Sequence, residues 1–68
     1  MNVYFSVETL RRNITAQAEQ IESESKWLAH YITHEPGEVE CIEDCVRNIM
    51  DSCTAILENT EHLKSKDL

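Results

Sequence analysis

Apolar residues recur in steps of three and four on both sides of Pro36-Gly37, the only proline and the only glycine among 68 residues. Before that break, Val7, Ile14, Ile21 and Leu28 return every seventh position, with Leu10, Gln17, Glu24 and Tyr31 three places behind them. After it, Val39, Ile42, Val46, Ile49, Cys53, Ile56, Thr60 and Leu63 alternate the two steps without a fault. That rhythm marks one face of an α-helix and, sustained this long, the seam of a coiled coil. Proline interrupts a helix because its ring clashes with the preceding turn and it carries no N–H. A β fold of this size would need several tight turns, and the chain has residues for one. The pattern predicts an all-α chain with a single domain over 1–68. Helix 1 spans about 6–33, a turn covers 34–37, helix 2 spans about 38–63, and a short tail follows.

The helix ends carry their own signals. Ser6 is a good N-cap, with Phe5 before it placed to close over Leu10 as a hydrophobic staple. Glu38, Glu40, Glu43 and Asp44 crowd the start of helix 2, and Lys64 and Lys66 stand at its end, as the helix dipole favours. Folding at Glu35-Pro36 sets Leu28 against Ile42, Ile21 against Ile49, Ile14 against Ile56 and Val7 against Leu63. One register serves all four layers, which predicts an antiparallel helical hairpin. Tyr31 with Val39, Glu24 with Val46, Gln17 with Cys53 and Leu10 with Thr60 fill the layers between. Glu24 stands where a seam wants leucine and needs a partner when buried; Arg47, one layer away, is the candidate.

Two helices leave much of their apolar surface wet. The flank beside the seam supplies Ala18, Ser25, Ile32, Met50 and Leu57, a small and apolar strip suited to a second helix pair. The opposite flank is polar, with Asn13, Gln20, His34, Glu38, Ser52 and Asn59. A two-fold homodimer forming a four-helix bundle completes such a hairpin, with Ala18, Ser25, Ile32, Met50 and Leu57 as the dimer interface. A target helix from another protein is the rival occupant.

Composition narrows the function classes. The formal net charge is −7, with six Lys and Arg against thirteen Asp and Glu. Nucleic-acid affinity comes largely from basic side chains on phosphates, so this balance disfavours such a partner. No apolar run reaches a membrane span, and no signal-peptide order is present at the N-terminus. The expectation is a soluble, cytoplasmic protein with three reduced cysteines.

Few residues suggest chemistry. His30 and His34 are four apart near the end of helix 1, and Cys41 and Cys45 are four apart near the start of helix 2. Each pair shares a helical face, and four such side chains fill a tetrahedral zinc site. The plainer reading makes the thiols small semi-buried residues and the imidazoles solvated. Cys53, on the seam, reads as core. Trp27, the only tryptophan, falls on the polar flank near Cys45 and His30 and reads either as a partner-binding anchor or as a cover over the hairpin end with Tyr31 and Cys45; Glu19 and Glu22 are acidic partner-binding candidates. Tyr4 and Phe5 are further anchors or a lid over the open end. No nucleophile–base set, phosphate loop or substrate-sized cleft is legible, so no catalytic residue and no cofactor are expected.

In helix-turn-helix plan and length, the chain resembles the Rop-type hairpin dimers, which modulate pairing between plasmid RNAs. The resemblance rests on no shared motif. It implies a nucleic-acid-binding alternative with a basic stripe from Arg11, Arg12, Lys26 and Arg47. The leading expectation is a small intracellular regulator or adaptor, non-enzymatic, that binds a protein target as a homodimer. A metal-binding or metal-sensing hairpin is the other alternative.

Overall fold

The computed structural model describes residues 6–66 as two α-helices, α1 (Val7–His34) and α2 (Val39–Lys66), packed side by side as an antiparallel hairpin. Each helix has 28 residues, or about 42 Å at 1.5 Å per residue, which accounts for the 48 Å long axis of the molecule. Among the described residues there is no strand. Phe5, Tyr4 and the staple expected of Phe5 lie outside the described residues.

α1 starts as its sequence dictates. The Ser6 side chain accepts a hydrogen bond from the Thr9 N–H at 3.1 Å, and the Leu10 N–H reaches the Ser6 carbonyl at 3.0 Å. It ends where Glu35 leaves helical geometry with its N–H still bonded to the Tyr31 carbonyl at 2.8 Å. The Glu38 N–H then donates to the Glu35 carbonyl at 3.0 Å, closing a four-residue turn over Pro36-Gly37. Gly37 does not have a positive φ, so this turn does not use the conformation that only glycine enters freely. α2 runs three residues past the expected end, where Lys64 pairs with Glu61 at 3.4 Å and the Ser65 hydroxyl donates to the Glu61 carbonyl.

α1 turns the expected face inward: Val7, Leu10, Ile14, Gln17, Ile21, Glu24, Leu28 and Tyr31 are buried or half-buried. α2 does not. Ile42, Ile49, Ile56 and Leu63 face α1 as expected, but Val39, Val46 and Cys53 are exposed. The places of Val46 and Cys53 are taken by the residues one position earlier. Cys45 (5% exposed) and Ser52 (4%) are buried, and Asn59 is half-buried with its side chain 3.4 Å from that of Asn13. The helix is rolled about its axis, so that Ser52, Asn59 and Asn13 of the flank expected to be wet enter the contact, and Cys53 is surface rather than core.

Polar chemistry explains the roll. α1 presents Asn13, Gln17 and Glu24 to its partner. Valine at position 46 would leave the Glu24 carboxylate drying against a side chain with no donor, whereas Cys45 offers it a thiol. Asn13 likewise meets Asn59. Cys45 and Ser52 are also small, which lets the two backbones approach. The roll adds Val39 and Val46 to the flank of Ile32 on α1 and Met50 (61% exposed) and Leu57 (66%) on α2, leaving an apolar strip outside the hairpin.

Candidate binding notch near the turn

Three α1 residues, Glu24, Trp27 and Tyr31, follow one another at three and four positions and so share a helical face. Cys41, Asp44, Cys45 and Asn48 do the same on α2. Where these faces diverge near the turn, they line an open notch of about 280 Å³.

One wall is aromatic. Trp27 is 55% exposed, and its ring lies 6.1 Å from that of Tyr31 at an interplanar angle of 31°. His30 meets Trp27 edge-on at 5.9 Å and stands 5.1 Å from His34, while its Nε2 is 3.0 Å from a Glu35 carboxylate oxygen. The floor is the two thiols. Burial, then the neighbouring Glu24 carboxylate, pushes the Cys45 thiol above its ordinary value. The hydrogen bond that Tyr31 shares with Cys41 raises the Tyr31 hydroxyl in the same way, with the thiols and Glu35 adding to it.

The carboxylates complete the rim. Glu24 accepts from the Gln20 side-chain amide at 3.2 Å and has no lysine or arginine partner among the described residues. Arg47, expected to neutralise Glu24, pairs instead with Asp44 on its own helix at 3.5 Å, both side chains being largely exposed. A pair one turn apart needs no reach across the hairpin, and so it forms in preference.

The chain matches no family model, no curated protein and no solved structure.

The site residues read from the sequence therefore stand on the geometry alone. His30 and His34 are adjacent and Cys41 and Cys45 share the notch floor, but the two pairs are engaged separately. His30 holds Glu35, Cys41 lies 3.9 Å from a Glu38 oxygen, and Cys45 faces Glu24. Among the described residues, no three His, Cys, Asp or Glu side chains gather as a metal ion requires. Trp27 is at the notch, whereas Glu19 and Glu22 line a separate shallow depression with Ile14, Thr15 and Ala18. The structure does not bring these partner-binding candidates together. Ala18, Ser25, Ile32, Met50 and Leu57 are all exposed. So are Arg11, Arg12, Lys26 and Arg47, with Arg12 paired to Glu8 and Arg47 to Asp44. No helix among the described residues is long and apolar enough to cross a membrane.

Tyr31 and Cys45 beside Trp27 were one of the two readings the sequence offered, whereas Asp44 and Asn48 at the same notch escaped sequence reasoning. Glu24 and Tyr31 were legible as seam positions, and a carboxylate within an apolar seam was the one available signal of a polar notch.

Proposed function

We propose that this chain is a small non-enzymatic regulator or adaptor that acts by stoichiometric protein binding, as a homodimer whose two hairpins form a four-helix bundle. The observation that carries the reading is the apolar strip outside the hairpin: Ile32, Val39, Val46, Met50 and Leu57 are all exposed, while among the described residues Leu10 alone is a fully buried large side chain. Contiguous exposed apolar surface on a small domain marks an interface. Ala18 and Ser25 continue the strip along α1 with small side chains, which suit close approach of another helix. The acidic remainder of the surface suits a basic partner and opposes nucleic acid.

Sedimentation equilibrium tests the dimer. The wild-type chain is expected to be dimeric at micromolar concentration. Met50→Asp combined with Leu57→Asp is expected to weaken association at least about 100-fold, because burying each side chain contributes on the order of 1.5–3 kcal/mol. Both positions point away from α1, so helix content at high concentration is retained. A wild-type monomer at every concentration would overturn the bundle.

A further inference from the structure

We propose that the notch near the turn is a receptor for a cationic side chain, an arginine or lysine in a basic segment of a partner protein, held by Glu24 and Asp44 and packed on Trp27 and Tyr31. This rests on the reading of the chain as a protein-binding module and adds what that module recognises.

Four observations converge on a cation. The notch has carboxylates contributed by both helices, Glu24 from α1 and Asp44 from α2. Two electron-rich rings sit side by side on its wall, and cations are attracted to such ring faces, most strongly to tryptophan. Glu24 is half-buried and has no basic partner among the described residues, so part of its hydration is lost without a counter-charge to offset it. Finally, between Trp27 and Val46 the sequence has no lysine or arginine but carries Glu35, Glu38, Glu40, Glu43 and Asp44. Even with Lys26 and Arg47 at its borders, the turn end carries an excess of negative charge around a concave site, which draws in the opposite charge.

The alternatives fit less well. An anion meets the Glu24 carboxylate, which has no basic partner among the described residues, on one wall and Asp44 on the other. A purely apolar ligand would strip water from two carboxylates and gain nothing for them. A metal ion lacks a third converging ligand. Burial raises the Cys45 thiol and favours its neutral form, so Cys45 offers polarisable contact and leaves charge recognition to Glu24 and Asp44. Arg47 competes for Asp44, but that pair is 70% and 71% exposed and contributes little, so an incoming guanidinium displaces it readily. An extended basic segment also reaches the outer acids of the turn, which a single free amine cannot.

The test is a titration of the full chain with a short acetylated peptide of alternating arginine and glycine, followed by Trp27 fluorescence and by amide NMR shifts. Saturable binding is expected, with shifts confined to 24–31 and 41–48. Asp44→Asn and Glu24→Gln are each expected to weaken it about ten-fold, and Trp27→Leu at least as much. Glu24→Gln keeps an acceptor for the Gln20 amide, and circular dichroism checks that each variant is folded; Asp44→Asn, at an exposed site, carries the test if Glu24→Gln does not fold. Equal affinity for wild type and Asp44→Asn would overturn the proposal, as would shifts spread evenly over Glu19, Glu22 and Glu58. Tetramethylammonium binding as tightly as the peptide would also overturn it, because the occupant would then be a small amine. Sedimentation of the same samples separates the two ideas: a flat titration with an intact dimer ends the cation site and leaves the bundle standing.

Discussion

Cys41, Cys45 and Cys53 occupy three different surroundings on one helix: half-buried in the notch, buried against α1, and exposed on the outer strip. A thiol reacts as its thiolate, so burial and the Glu24 charge both slow Cys45. Alkylation with iodoacetamide near pH 8, read by peptide mass spectrometry, is expected to label Cys53 first and Cys45 last. The same environment links stability to pH. Because the folded Cys45 pKa is raised above its unfolded value, the fold prefers the neutral thiol. Its contribution is complete below the ordinary thiol range, about pH 8.5, and is lost as pH rises through the folded value. Tyr31, raised as well, acts in the same direction at higher pH. Urea midpoints for wild type and Cys45→Ala are therefore expected to converge above about pH 9, and parallel curves across that range would contradict the linkage. At this scale the Ser6 cap was legible, because a side-chain oxygen three residues from an N–H is a local matter. The partner of Glu24 was not, since it depends on how α2 is rolled.

That roll is the element-scale result. Helix existence and the hairpin were legible, because each follows from a repeat and one break, and the end of α2 was legible to within three residues. The roll was not, because α2 is apolar over a stripe wider than α1 can cover. Ile42, Ile49, Ile56 and Leu63 face inward under either choice, and the decision fell to residues beside them. Polar side chains on α1 selected Cys45 and Ser52 over the more apolar Val46 and Cys53, and drew Asn59 in beside the half-buried Thr60. Hydrophobicity alone ranks those sets the other way, which is why pattern reading placed Ser52 and Asn59 on the wet flank. The turn gives a second element-scale expectation. Gly37 has no positive φ, and a Cβ added there would meet nothing within 4 Å. Gly37→Ala should then stabilise the hairpin by about 0.4–1 kcal/mol, by restricting the unfolded chain. Chemical denaturation measures this directly, and a loss of stability would show that the turn uses glycine's freedom after all.

The molecule as a whole is extended for its mass. Its radius of gyration is 15.4 Å, where a compact chain of this length has about 11 Å. Its accessible surface is 5352 Å² for 7.9 kDa, where a compact monomer of that mass has about 4,400 Å². The excess is comparable to the roughly 800 Å² that each partner contributes to a standard protein interface. If association supplies the missing burial, thermal stability depends on concentration. The melting temperature should rise by several degrees over a hundred-fold increase in protein, and an invariant melting temperature would mean that the hairpin is stable alone.

The roll of α2 also divides work between neighbours in the chain. Cys45 faces α1 while Val46 faces outward, and the same holds for Ser52 beside Cys53. Adjacent residues thus have different neighbours, one packed against α1 and the next exposed. Val46, Met50, Cys53 and Leu57 can therefore be substituted with little disturbance to Cys45, Ile49, Ser52 and Ile56, and, with the outer strip as the proposed interface, its specificity can change while the fold does not.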